Sequence, residues 1–169
     1  MRIRLANLSD VPRIVTVHVH SLKASHADFL PADFLSGLDG NYSTARFRKA
    51  LNLPENKEKI YVAEEEGAGI IGFVWGGLAR KQNSNDSGEI YAIYILEEYQ
   101  GKGIGKKLVQ TLAAGFSTMK INTIMVDVLA DNLPSCQFYE ALGGVKIGEG
   151  SFEVAGVRLK DITYAISIM

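Results

Sequence analysis

Cysteine is nearly absent: Cys136 is the only one in 169 residues. A lone thiol builds no intramolecular disulfide framework and fits a reducing compartment, so a cytoplasmic protein is expected. Charge of one sign is also scarce. With 18 Lys and Arg against 19 Asp and Glu, the net charge is −1; there is no basic stripe for nucleic acid and no like-charged tail. Long apolar runs are missing, since nothing reaches the ~20 residues of a spanning helix. The start, MRIRLANLSD, lacks the apolar centre of a signal peptide. Neither a membrane nor nucleic acid is therefore expected as partner. His18 and His20 point to different faces of a helical segment, His26 has no paired spacing, and no Cys/His cluster exists, so no metal is expected.

What is present suffices for one domain over residues 1–169. Apolar residues make up 47% and charged residues 22%, close to globular averages and enough to bury a core. IRLA reads as a short strand. Ser9 then stands as an N-cap ahead of Pro12, opening a helix with Val11, Ile14, Val15, His18 and Leu22 on one face. LPADFL and STARFRKAL read as short helical pieces separated by Gly37 and Gly40. IYVAEE and IIGFVWGGLA, joined by a Gly-containing turn, read as a hairpin, with Trp75 as core or pocket wall. A polar loop, KQNSNDSG, leads to the strand EIYAIYIL, a helix from about Gly103 to Met119 and the β-branched strand INTIMVDVL. A helix over 133–142 ends at Gly143 and Gly144, and two last strands meet across Ala155-Gly156. The count is about seven strands and four helices, a mixed α/β chain without repeats.

The most informative stretch is YILEEYQGKGIGKKLVQTL, where Gly101, Gly103 and Gly105 separate a strand from a helix. Closely spaced glycines are costly to order, and packing alone does not ask for them. The amides at a helix start lack intrahelical partners and carry the positive end of its dipole, so a glycine loop there cradles phosphate oxygens. Lys102, Lys106 and Lys107 crowd the same end, where without an anion they oppose the dipole. A plain turn with a solvated lysine face is the competing reading. A Walker loop is excluded, because Gln100 holds the first glycine position and Lys107 replaces the hydroxyl residue. A dinucleotide fingerprint fits Gly101 and Gly103 but then meets Lys106, although Asp127 lies roughly where a ribose acid belongs.

The remaining pattern, Gln100-x-x-Gly103-x-Gly105, resembles the acetyl-CoA pyrophosphate loop of the GNAT superfamily of N-acetyltransferases, [Q/R]-x-x-G-x-[G/A]. Chain length and element order are similar as well, and LADNLPSCQFYEALGG resembles a second family region. Glu97 departs from the proline that many members carry before the loop, and residues 21–53, which shape the acceptor site in the family, hold no motif for one substrate. The resemblance implies a central, mostly antiparallel twisted sheet, splayed at the strand before the glycine loop. It implies acetyl-CoA as cosubstrate, contacted by Ile93, Tyr94, Ile95, Gln100, Gly101, Lys102, Gly103, Ile104, Gly105, Lys106, Asn132, Ser135 and Tyr139. By resemblance, too, a homodimer is expected.

The chemistry sets its own demands. An acceptor amine with a pKa near ~10 is protonated at neutral pH, so attack on a thioester requires a base or a water chain to one. Glu89, eleven positions before Gln100, stands where glutamate-using family members place that base; an exposed strand-end carboxylate is the competing reading. A departing thiolate, with a free-thiol pKa around ~8.5, needs a proton donor near sulfur, the role the resemblance gives Tyr139. Asn132 doubles as an N-cap. Cys136 shares the Tyr139 helix face, but no neighbouring base is assigned to make it an acyl carrier. His18 reads as core, or as a wall of the acceptor pocket with Ser21. The expectation is transfer of an acetyl group from acetyl-CoA to a primary amine of a small molecule, by direct attack in a ternary complex. A peptide or protein amino-terminal acetyltransferase, a non-catalytic CoA-binding sensor and a dinucleotide-dependent oxidoreductase are the alternatives.

Overall fold

A computed structural model of the chain describes residues 1–54, 57–81 and 86–168. Seven strands form one sheet in the order β1-β2-β3-β4-β5-β7-β6. The strands are β1 (Arg2–Leu5), β2 (Glu58–Glu65), β3 (Gly69–Leu78), β4 (Ser87–Ile95), β5 (Thr123–Leu129), β6 (Val145–Val154) and β7 (Val157–Ser167). Only β4 and β5 are parallel; the other neighbours are antiparallel. This is the mixed, mostly antiparallel sheet expected. Among the described residues five α-helices accompany it: α1 (Val11–His26), α2 (Ala32–Ser36), α3 (Asn41–Leu51), α4 (Ile104–Ser117) and α5 (Leu133–Ala141). The two short pieces before Pro54 are separate helices, α2 and α3. Of the expected polar loop at 81–88, residues 82–85 lie outside the described residues.

One boundary differs from expectation. Ser9 does not cap α1; Asn7 caps a 3-10 turn, Leu8–Asp10, that runs into the helix. The Asn7 side chain accepts from Ser9 N at 2.9 Å, and the Asp10 carboxylate accepts from Asn7 N at 2.9 Å. Asp10 also receives the Arg4 guanidinium at 2.8 and 3.0 Å. One carboxylate thus serves a cap and an ion pair, an advantage that a serine hydroxyl cannot match.

The core lies on both faces of the sheet. Helices α1 and α3 bury Val11, Ile14, Val17 and Phe47, and α4 buries Ile104, Leu108, Leu112 and Phe116, the every-fourth-residue stripe of an amphipathic helix. Trp75 is core, 6% exposed, with Nε1 donating to Glu58 at 2.7 Å. His18 packs edge-on against Phe47 and Phe73, beside Tyr94, and shares a 3.0 Å hydrogen bond with Ser43. Its pKa is lowered to about 4 by burial and by the Arg46 and His26 charges, so its ring is neutral at pH 7.

Two glycines let β4 bend. The β3–β4 register shifts so that Trp75 faces Ala92 while Gly76 faces Ile90, leaving Tyr91 as an extra, bulged residue. A bulge bends its strand and raises local twist. A Cβ at Gly76 would stand 2.6 Å from the Glu89 carbonyl, 2.9 Å from Leu112 and 3.2 Å from Phe116; one at Gly77 would stand 2.6 Å from the Tyr91 hydroxyl. That hydroxyl donates to the Leu78 carbonyl at 2.6 Å, pinning the bulge to β3. Gly76→Ala is expected to lower unfolding free energy by about 1–3 kcal/mol, because backbone rather than a flexible side-chain tip must yield; chemical denaturation measures the loss.

Candidate functional site

The parallel β4–β5 ladder has three pairs, Ser87 with Thr123, Gly88 with Ile124 and Glu89 with Met125. Beyond Glu89 the strands part, and among the described residues the edge of β4 over 90–95 has no strand partner on that side. This is the expected splay. It opens into a cleft of about 1630 Å³ bounded by β4, the glycine loop, the end of β5, α5, the α1–α2 connection and the β6–β7 hairpin. Ile93, Tyr94 and Ile95 line it, so their free edge can receive an extended amide chain as an added strand would.

The glycine loop closes one end. Gly101 and Gly103 have φ of 72° and 78°, and a Cβ on either would meet nothing within 4 Å. Their glycine requirement is therefore conformational. Gly103 is the N-cap of α4 without any side-chain cap, and the first helical bond is Lys107 N to Gly103 O at 3.2 Å. The preceding amides, from Gly103 to Lys106, have no intrahelical acceptor and meet the cleft at the dipole's positive end. Gln100 donates from Nε2 to the Ile95 carbonyl at 2.9 Å, stitching the loop to the end of β4. Gly105 packs under Phe138, where a Cβ would stand 3.0 Å from the ring; this holds α4 against α5.

Of the residues expected to contact the cofactor, Gln100, Gly101, Gly103, Ile104, Gly105, Lys106, Asn132, Ser135 and Tyr139 also line the cleft. Lys102 does not: its ammonium lies 5.2 Å from the centre of the Tyr99 ring, where a cation meets an aromatic face. Asn132 caps α5, its side chain accepting from Ser135 N at 3.2 Å. Tyr139 is 5% exposed, and among the described residues its hydroxyl has no hydrogen-bond partner. Burial, then Tyr94, raises its pKa well above the ordinary phenol value, which leaves a neutral O–H facing the cleft. Burial likewise lifts Tyr94 to about 12.

Glu89 stands behind the wall. It is 5% exposed and does not line the cleft, because Arg80 holds it: Nη2 and Nε donate to one carboxylate oxygen at 2.6 and 3.2 Å, and the Arg80 backbone N–H donates to the other at 2.9 Å. The exposed strand-end alternative does not hold for it. Cys136 is buried, does not line the cleft, and points its thiol at the Leu129 carbonyl, 3.7 Å away.

A charged group that the sequence offered only as a dinucleotide ribose acid lines the cleft. Asp127 pairs with Lys81 and accepts from the Thr163 hydroxyl at 2.6 Å. Burial works against its charge, but these bonds outweigh it and hold the carboxyl below its usual range. Asp161 and Ser21 line the same cleft. The one available signal was an acid amid the apolar alternation of TIMVDVL.

A sheet split beside an uncapped, glycine-fed helix start is the arrangement that the sequence resemblance implies for an acyltransferase. Residues 23–144 match the acetyltransferase (GNAT) family, and the chain belongs to that family. It is similar to the uncharacterized N-acetyltransferase YuaI of Bacillus subtilis (strain 168), 32% identical over 160 residues, 95% of this chain and 89% of that one. It is also similar to the spermine/spermidine N(1)-acetyltransferase of the same organism, 28% identical over 97 residues, 55% of this chain and 64% of that one. Among solved structures, YncA from Salmonella typhimurium with its cofactor acetyl-CoA superposes with a TM-score of 0.77 at 20% identity, covering 100% of this chain and 94% of that one. The protein is an acetyl-CoA-dependent N-acetyltransferase.

Gly103→Ala places an L-residue at positive φ, which costs about 1–2 kcal/mol, and adds a methyl to the open side of the loop. The expected result in calorimetry is CoA binding weakened about tenfold, equivalent to ~1.4 kcal/mol, with a lowered melting midpoint.

Proposed function

We propose that the protein acetylates a primary amine of a small molecule by direct attack in a ternary complex, acting as a single domain in the cytoplasm. The observation that carries this reading is the cleft itself. It holds the unpaired amides opening α4, suited to phosphate, and Asp28, Asp127 and Asp161 line it with Lys81 as countercharge, a setting that favours a cationic acceptor over an anionic one. The relative named for spermine and spermidine supports an amine. The homodimer implied by the family resemblance belongs to the same proposal, and light scattering tests it.

When bound, acetyl-CoA supplies the activated acetyl group. The β4 edge at Ile93 and Ile95 aligns the pantetheine amides, and the amides opening α4 take the pyrophosphate. Tyr139 donates its O–H to the departing sulfur; its raised pKa keeps that proton available at neutral pH. Direct attack is supported by Cys136, which is 6% exposed and turned toward a backbone carbonyl rather than the cleft.

Glu89 takes the ammonium proton through water, since Arg80 fixes its carboxylate behind the wall. A second reading gives the base role to Asp127, favoured by its direct position on the cleft.

Purified protein, acetyl-CoA and a panel of amines, amino acids and short peptides test the function by thiol release and product mass. Tyr139→Phe is expected to lower kcat about a hundredfold, with little change in KM for acetyl-CoA. Glu89→Gln and Asp127→Asn then divide the base readings: the variant whose pH–rate profile loses its ascending limb identifies the base.

A further inference from the structure

Among the described residues four tyrosines line the cleft: Tyr91, Tyr94, Tyr99 and Tyr139. Three of them are accounted for. The Tyr91 hydroxyl donates to the Leu78 carbonyl at 2.6 Å, the Tyr99 ring lies under the Lys102 ammonium, and Tyr139 serves the departing sulfur in the proposed reaction. Tyr94 has no such task. Its hydroxyl has no hydrogen-bond partner among the described residues. Nor is it closed off, because only Ser21 and Asp161 among those residues hold side-chain polar atoms that are both unpartnered and shut from solvent. The Tyr94 O–H is therefore open to the cleft.

The sheet decides which way it points. Tyr94 pairs with Phe73 on β3, and its ring centre lies 6.0 Å from that of Phe73 and 5.0 Å from that of His18 on α1. Its side chain thus stands on the α1 face. Ile95, the next residue, turns the other way, toward Gly105 of α4, as alternation along a strand requires. His18 is fixed in turn by Phe47 and by its hydrogen bond to Ser43, so rings hold the phenol on two sides. A group held in this way orients a reactant without first having to be ordered. Tyr94 follows burial as a cause of the raised Tyr139 pKa, which agrees with two hydroxyls sharing one part of the cleft.

We infer that Tyr94 is a further catalytic residue: its hydroxyl oxygen accepts an N–H bond from the acceptor amine and aims the nitrogen lone pair at the thioester carbon. The walls of the cleft leave this role to it. The cosubstrate takes the β4 edge, the opening amides of α4 and the Tyr139 O–H, whereas Tyr94 stands on the side of α1, whose His20, Ser21 and Leu22 line the same cleft. A neutral phenol both donates and accepts, and burial lifts the Tyr94 pKa to about 12. Starting from the ammonium, the nitrogen sheds two protons. The base takes one before attack; the second restores Tyr139 after its own proton has gone to sulfur, as C–N forms and C–S breaks. Tyr94 ends with the proton it began with. This inference rests on the acetyltransferase reading above.

The test is steady-state kinetics with n-butylamine, glycinamide and the fastest acceptor of the amine panel, for the wild type, Tyr94→Phe, Tyr139→Phe and the double variant. Phe keeps the ring packed on His18 and Phe73, so the melting midpoint of Tyr94→Phe by circular dichroism should match the wild type. Loss of one neutral hydrogen bond should lower kcat/KM for the amine about fivefold to tenfold. Calorimetric CoA binding and the shape of the pH–rate profile should stay as in the wild type. Because the two hydroxyls serve different atoms, the losses from Tyr94→Phe and Tyr139→Phe should multiply in the double variant. Wild-type kcat/KM for every amine in Tyr94→Phe overturns the inference, as does a double variant no slower than Tyr139→Phe. Weakened CoA binding in Tyr94→Phe also overturns it, since the hydroxyl then serves the cosubstrate. All three results leave the transferase reading intact; absence of thiol release with every amine overturns both.

Discussion

The structure depends on β4 and β5 parting after three paired residues. Parallel strands joined by a helix normally stay paired along their length, because the lost ladder bonds are expensive. Here a bulge at Tyr91, seated over Gly76 and Gly77, turns β4 away, while Arg80 clamps Glu89 at the last pair. The backbone groups that the sheet leaves unpaired line the cleft.

Electrostatics divides the cleft. At one end, the opening amides of α4 and Lys106 concentrate positive potential, which an isolated helix would counter with acidic residues in its first turn. At the other, Asp127 and Asp161 outnumber Lys81. In the proposed reaction, the anionic cosubstrate and a cationic acceptor would each find complementary charge in the cleft, whose wall includes the neutral O–H of Tyr139. A single polarity along the whole cleft would favour one partner and repel the other.

The glycine loop was readable because its chemistry is local. Gly101, Gly103 and the uncapped helix start lie within a few residues, and the amides act as backbone whatever the neighbours are. Asn132 was readable for the same reason, as a cap on the helix it opens. Ser9 was misread as the α1 cap because the carboxylate of Asp10 is recruited by Arg4 from the strand before it, a contact decided by how β1 meets α1. The ammonium of Lys102 lies over the nearby Tyr99 ring, a placement that the spacing of the loop does not state.

The sequence by itself determined the seven strands, the amphipathic faces of α1 and α4, and the glycine turn that opens α4, since each follows from periodicity or from backbone conformation over a short span. Tertiary structure alone decided which side chains see the cleft. It placed Glu89 behind Arg80, and it brought Lys81, Asp127 and Asp161 together from three separate segments of the chain. The reason is range: a strand's pattern states which face a residue takes, but which strand becomes its neighbour is fixed only when the whole sheet closes around its core.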